Sequence, residues 1–183
     1  MCLSCREALR ALSWRSLYHA RCPVCQQPVL DEGYHCLYCD YKLVSYGPYQ
    51  GALKQLLHRY KHDGELLLSR FIASMYYELL QNHEKTLLLP IPASRKGKRM
   101  RGFDQVALIC TILSFKKGIE TIHLFSLNEK RMQKERSRKQ RMLTDRISIK
   151  RLSITRVRTY LASGYLPVII DDVLTTMATL QSA

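Results

Sequence analysis

Six of the chain's seven cysteines fall within its first 39 residues, as Cys2-x2-Cys5, Cys22-x2-Cys25 and Cys36-x2-Cys39. A two-residue gap is a tight turn that points both sulfurs at one ion, and two such turns complete a tetrahedral thiolate site for zinc. The N-terminus, Met-Cys-Leu-Ser-Cys-Arg, lacks the basic start and apolar stretch of a signal peptide. The expected compartment is therefore the cytoplasm, where thiols stay reduced and such pairs hold metal rather than disulfides. Cys22/Cys25 and Cys36/Cys39 stand ten residues apart, enough for a short hairpin between two knuckles, and Cys-Pro-Val-Cys-Gln-Gln-Pro is rich in turn residues. Cys2 and Cys5 leave three arrangements open: pairing with either later couple, sharing a six-thiolate cluster, or standing apart as a relic. Four thiolates close the coordination sphere, so the expected zinc is structural rather than catalytic. The seventh cysteine, Cys110, sits on apolar helical spacing and reads as core.

A second chemistry lies in Val168-Ile169-Ile170-Asp171-Asp172-Val173-Leu174-Thr175-Thr176-Met177-Ala178-Thr179-Leu180. An apolar strand, two acids and a Thr-rich turn opening a helix suit a sugar phosphate. The acids hold ribose hydroxyls, while turn hydroxyls and helix-start amides take the phosphate. A companion strand exit is Leu89-Pro90-Ile91-Pro92-Ala93-Ser94, followed by Arg95 to Arg101 and Gly102-Phe103-Asp104-Gln105. Arg95 to Arg101 holds five basic residues and no acid, which by itself reads as a solvated loop.

These residues need a scaffold, and the periodicity supplies one. Tyr49, Leu53, Leu56, Leu57 and Tyr60 follow helical spacing, as do Leu67, Phe71, Met75 and Leu79. Thr86 to Leu89 is a continuous apolar run closed by Pro90 and Pro92, the mark of a buried strand entering a loop. Gln105 to Phe115 returns to helical spacing through Val106, Ile109, Cys110 and Leu113, Thr121 to Phe125 reads as a strand, and Leu166 to Ile170 as another. A βαβ-type succession implies an α/β fold, with a parallel sheet and ligands at the carboxyl ends of its strands.

Composition sets the outer limits. A chain of 183 residues, 46% hydrophobic and 24% charged, is neither disordered nor short of core material. No apolar run approaches the roughly 18–20 residues of a membrane span. The 29 Lys and Arg against 15 Asp and Glu leave a net charge of +14. Asn128 to Arg158 alone carries twelve Lys and Arg against three acids. Such a strip releases condensed counterions on meeting phosphates, and Lys134, Arg136, Arg138 and Lys139 are its candidate contacts to single-stranded nucleic acid. The alternative is a solvated loop whose charge draws in a small phosphorylated ligand. His35, His58, His62 and His123 lack ligand-like spacing and read as surface or packing residues, and Trp14 as a core anchor.

Taken together, these motifs resemble the ComF family of naturally transformable Gram-positive bacteria. The resemblance rests on the Cys-x2-Cys pairs, Ser13-Trp14-Arg15-Ser16-Leu17, Tyr49-Gln50-Gly51-Ala52-Leu53-Lys54 and Arg59-Tyr60-Lys61-His62-Asp63-Gly64-Glu65. It continues through Pro90-Ile91-Pro92-x-Ser94 and Arg101-Gly102-Phe103-Asp104-Gln105 to the Asp171 segment, which is similar to the phosphoribosyl-pyrophosphate (PRPP) motif of type I phosphoribosyltransferases.

The resemblance implies a zinc ribbon over residues 1–45, with Cys22, Cys25, Cys36 and Cys39 as ligands, joined by Cys2 and Cys5 in one of the arrangements above. Residues 46–183 would form a type I phosphoribosyltransferase-like domain, a parallel sheet flanked by helices. Asp171 and Asp172 would contact the ribose as the catalytic acids, with one of them reaching a Mg²⁺ on the pyrophosphate. Thr175, Thr176, Met177, Ala178 and Thr179 would surround the 5′-phosphate. Pro92 to Ser94 would form the pyrophosphate-side loop with Arg101 nearby, and Asn128 to Arg146 a hood that closes over the ligand. Single-stranded DNA during uptake and a competence helicase/translocase of the ComFA type would be the partners. The family's motif has Gly where this chain has Met177, and family members continue past the position of Ala183, so the C-terminal end of the fold is expected to be missing. Two functions follow: a DNA-uptake accessory on a scaffold that binds or once bound PRPP, or an active phosphoribosyltransferase of nucleotide metabolism.

Overall fold

Cys2 opens the first helix, α1 (Leu3–Ala11), its Sγ accepting the Cys5 N–H. In this computed structural model residues 2–17, 22, 39, 43–80, 85–127 and 147–173 are described, and the chain divides into two compact units, Met1–Arg59 and Tyr60–Ala183. In the first unit α1 is followed by a single turn, α2 (Trp14–Leu17). The Trp14 backbone N–H donates to the Tyr46 carbonyl at 2.8 Å and its indole N–H to Ser45 Oγ at 2.7 Å, so the polar edge of Trp14 is spent on holding the 45–46 segment. Helix α3 (Gly51–His62) begins in the first unit and ends in the second, burying Leu53, Leu56 and Tyr60 at the helical spacing read from the sequence.

The second unit continues with α4 (Leu68–Leu80), β1 (Thr86–Pro90), α5 (Arg95–Arg101), α6 (Gln105–Lys117) and β2 (Glu120–Thr121). It closes with β3 (Phe125–Leu127), β4 (Ile147–Ile149), α7 (Arg151–Ala162) and β5 (Leu166–Ile170). β1 is apolar along its length because it is the middle strand of a parallel sheet of order β2-β1-β5, covered on both faces. Pairing runs Leu88↔Thr121 on one side, and from Thr86↔Leu166 to Pro90↔Ile170 on the other. Leu87 and Leu89 point to one face, where they meet Ile122, Leu124, Phe125, Ile147 and Val157. Leu88 alternates to the other. There α6 packs on β1, β2 and α4, burying Val106, Ile109, Cys110 and Leu113. Parallel neighbours need crossovers, and α5–α6 supplies the one from β1 to β2.

Three sequence expectations change. Thr121 to Phe125 is not one strand: Thr121 ends β2, Ile122 to Leu124 turns, and Phe125 starts an antiparallel ribbon of β3 with β4. The backbone makes the break, because Leu124 N–H donates to Ile122 O, while Ile122 and Leu124 are both buried. Arg95 to Arg101 is a helix rather than a loop. The basic strip does not continue as one loop to Arg158 either, since its last part forms β4 and α7. Ile154, Val157 and Tyr160 of α7 pack on the sheet, and its arginines point outward. Residues 128–146, expected as the hood, lie outside the described residues.

Candidate functional site

The parallel pairing of β1 with β5 brings the two strand exits side by side. The ladder continues one bond past the strands, as Ile91 N–H donates to Ile170 O at 2.9 Å. Pro92 to Ser94 and Asp171-Asp172 therefore share one carboxyl edge, where ligands of open α/β sheets gather.

At the first exit Ser94 caps α5, its Oγ accepting the Gly97 N–H at 3.0 Å, and this cap makes a helix of a run of like charges. The charges of α5 then divide by direction. Lys98 is exposed but its ammonium reaches Asp104 at 2.9 Å, and the half-buried Arg101 donates through Nη2 to Gln105 Oε1 at 2.7 Å, while Lys96 and Arg99 are exposed. Gly97 makes room for this: a Cβ there would stand 2.6 Å from Arg101 Nη2. Gly102, at φ +80, stops the helix in a left-handed turn that a side chain would strain. Arg101 Nε is buried without a hydrogen-bond partner among the described residues.

Asp104 clasps the exit. Its Oδ1 caps α6 through the Ala107 N–H at 3.2 Å, and its Oδ2 accepts the Ala93 N–H at 3.0 Å as well as the Lys98 ammonium. Burial alone would raise this carboxyl, but Lys98 and the two amides outweigh it and hold the group below its usual value.

At the second exit the two acids are unequal. Asp172 Oδ2 receives Lys61 Nζ at 2.8 Å and Gln105 Nε2 at 3.2 Å, and its side chain is 8% exposed. Asp171 Oδ1 receives the Asp172 N–H at 2.9 Å. Burial, then the charge of Asp172, pushes the Asp171 carboxyl up to about 6. Two phenols brace the backbone beneath. Tyr76 O–H donates to the Asp171 carbonyl and Tyr60 O–H to the Gln105 carbonyl. Burial, followed by the nearby carboxylates, raises both phenols above their usual range, so they remain donors at any working pH. Phe103 packs on Tyr60 with ring centroids 5.5 Å apart. On the rim, desolvation and then Lys150 lower the pKa of the exposed His123.

Gln105 thus joins the exits: its amide accepts from Arg101 and donates to Asp172. A ligand at this edge meets a partly protonatable carboxyl, a paired carboxylate, and the cations Lys61 and Arg101. That is chemistry for hydroxyls and phosphate oxygens.

Of the residues selected from the sequence, Pro92, Ser94, Arg101, Asp171 and Asp172 are brought together here. Thr175, Thr176, Met177, Ala178 and Thr179 lie outside the described residues, as do Lys134, Arg136, Arg138 and Lys139. Lys61, Asp104 and Gln105 join them, and their positions within the sequence motifs do not by themselves indicate a role. The signal that marks them is a charged or amide residue at a helix end.

For the cysteines, Cys22 Sγ and Cys39 Sγ lie 3.7 Å apart. The edge of a zinc–thiolate tetrahedron with bonds of about 2.3 Å is about 3.8 Å, so this pair fits two corners of such a site. Cys25 and Cys36 lie outside the described residues, and among those described no three Cys, His, Asp or Glu converge. Cys2 and Cys5 hold their sulfurs 3.1 Å apart at the start of α1, where hydrogen bonds from Ser4 and then Cys5 bring the exposed Cys2 thiol to about 7.

No family model matches the chain, and no solved structure matches it. Among curated proteins, 83 residues are 32% identical to the competence protein ComFC of Streptococcus pneumoniae (strain ATCC BAA-255 / R6). The match covers 45% of this chain and 36% of that protein, so it spans about a third of the relative's length.

Proposed function

We propose that this is a ComF-type competence protein, which assists the uptake or processing of single-stranded DNA on a phosphoribosyltransferase-like scaffold. The observation that carries the reading is the shared carboxyl edge, where Asp171 and Asp172 stand beside the Pro92–Ser94 loop and Arg101. The 83-residue similarity to a competence protein points the same way. On this reading Asp171 meets ribose hydroxyls, Arg101 and the 92–94 loop take pyrophosphate, and Thr175 to Thr179 take the 5′-phosphate. Lys134, Arg136, Arg138 and Lys139 contact DNA phosphates, a helicase/translocase of the ComFA type is the partner, and a zinc ribbon at residues 1–45 is a structural module. Zinc, when bound, supplies a cross-link for that module.

The second reading is an active phosphoribosyltransferase of nucleotide metabolism, favoured by the bracing of the acid pair through Gln105 and Tyr76. Transfer would pass through an oxocarbenium-like ribosyl cation, for which this chain's residues supply positioning and charge.

One experiment separates them. PRPP is titrated by calorimetry into the chain and into Met177→Gly, and a labelled single strand is titrated by anisotropy across a salt series. The DNA reading expects affinity that falls steeply with salt and is lost when Lys134, Arg136, Arg138 and Lys139 become Glu. It also expects weak PRPP binding that Met177→Gly improves roughly 5- to 150-fold, the relief of about 1–3 kcal/mol of turn strain. Tight Mg²⁺-dependent PRPP binding by the unmodified chain, with salt-insensitive DNA binding or none, overturns it in favour of the transferase.

A further inference from the structure

Family resemblance gives Asp171 and Asp172 equivalent duties, including the approach to a divalent cation. For Asp172 the surroundings do not fit that duty. Its Oδ2 already holds an ammonium at 2.8 Å and an amide N–H at 3.2 Å. The other cations of the edge have their own acceptors, Lys98 on Asp104 and Arg101 on Gln105.

We propose that Lys61 is a positioning residue of this edge, a built-in counter-cation that fixes Asp172 where a divalent cation would otherwise bridge, leaving Asp171 as the one carboxyl that meets a ligand. Two adjacent carboxylates away from water repel, and a cation within a few ångströms of one of them lowers that cost. Lys61 stands at the end of α3, so the charge comes from a helix rather than from solvent, and its side chain stays 30% exposed while that of Asp172 is 8% exposed. The pair with its lysine carries one net negative charge instead of two. An ammonium has three donors, so Lys61 offers further N–H groups to a sugar hydroxyl or phosphate oxygen arriving from the solvent side. A phosphorylated sugar is then received with its own cation alone, no metal being held by Asp172. The ligand class rests on the phosphoribosyl reading above; the role of Lys61 does not.

The test uses Mn²⁺ alone, titrated into the full chain with free Mn²⁺ read by electron paramagnetic resonance. The parent and Lys61→Arg should bind weakly and alike. Lys61→Met should bind about tenfold tighter or more, the equivalent of one lost charge neutralisation, and adding Asp172→Asn should remove the gain. Equal affinity in parent and Lys61→Met, or a gain that survives Asp172→Asn, overturns the proposal. Where Lys61→Met does not fold, acetylation of Lys61 by an N-hydroxysuccinimide ester, read by mass spectrometry, decides instead. Asp172→Asn should speed it about fivefold, the release of a pair held by about 1 kcal/mol, and an unchanged rate overturns the proposal. Neither readout involves PRPP, so their failure leaves the phosphoribosyl reading standing, and absent PRPP binding leaves the role of Lys61 standing.

Discussion

Asp171 carries its charge at neutral pH against its surroundings. Its folded pKa of about 6 lies above the ordinary 3.8, because burial and Asp172 both disfavour the anion. Between those two values the folded state binds more proton than the unfolded one, so stability falls as pH rises through that window. About two pKa units correspond to at most roughly 3 kcal/mol, and the partial exposure of the side chain trims this. Asp171→Asn keeps the acceptor for the Asp172 N–H and removes the ionisation. Thermal denaturation should therefore show it more stable than the parent at pH 8 by about 1–3 kcal/mol and nearly equal at pH 4. A variant as pH-sensitive as the parent would show that the carboxyl is not the source. Such a residue, costly to the fold and set at its edge, is the kind retained for binding rather than for stability.

Among elements, the first strand exit owes its shape to two helix caps in close succession. Ser94 starts α5 and Asp104 starts α6, and Asp104 also holds the Ala93 amide and Lys98. Asp104→Ala removes a cap worth about 1 kcal/mol and strands the part-buried Ala93 N–H, for a total of about 2–4 kcal/mol. Asp104→Asn keeps a cap oxygen, loses the ion pair, and should fall between. The Asp104 pKa is lowered in the fold, so its contribution is present at neutral pH and lost as pH falls through the folded value. Denaturant titrations should find the gap between parent and Asp104→Ala closing in acid, and a gap that persists there would assign the effect to packing. The same elements explain why five cations in seven residues fold at all, since Lys98 and Arg101 find acceptors in Asp104 and Gln105.

At the scale of the whole molecule, the net charge of +14 and the cysteine pairs are independent features. No helix among the described residues is long and apolar enough to cross a membrane. The zinc expectation concerns folding of the N-terminal segment. Purified protein should contain about one zinc per chain, and chelation should unfold that segment. Cys22→Ser should lose metal and stability together, whereas Cys110→Ser should leave metal content untouched. Cys110 is fully buried in the α6 core, where burial pushes its thiol up to about 12. Metal-free protein with its N-terminal segment folded would refute the ribbon.

Local periodicity was enough to place the buried strand Thr86–Pro90, the strand Leu166–Ile170, the helices around Leu56, Met75 and Ile109, and the core position of Cys110. Each is a pattern written in neighbouring residues. The acid pair was legible for the same reason, as two acids directly after an apolar run. Three things came only from the tertiary structure. The break at Ile122 to Leu124 depends on a tight backbone turn, Leu124 N–H to Ile122 O, that keeps both side chains in one core, which period-2 counting does not register. The helix over Arg95–Arg101 depends on Ser94, Asp104 and Gln105 absorbing charge that looks prohibitive in the one-dimensional string. The inequality of Asp171 and Asp172 depends on Lys61 and Gln105, which lie 111 and 67 positions before Asp172 and meet it only in the folded chain. Electrostatic partners are chosen by distance in space, and a sequence states distance only along the chain.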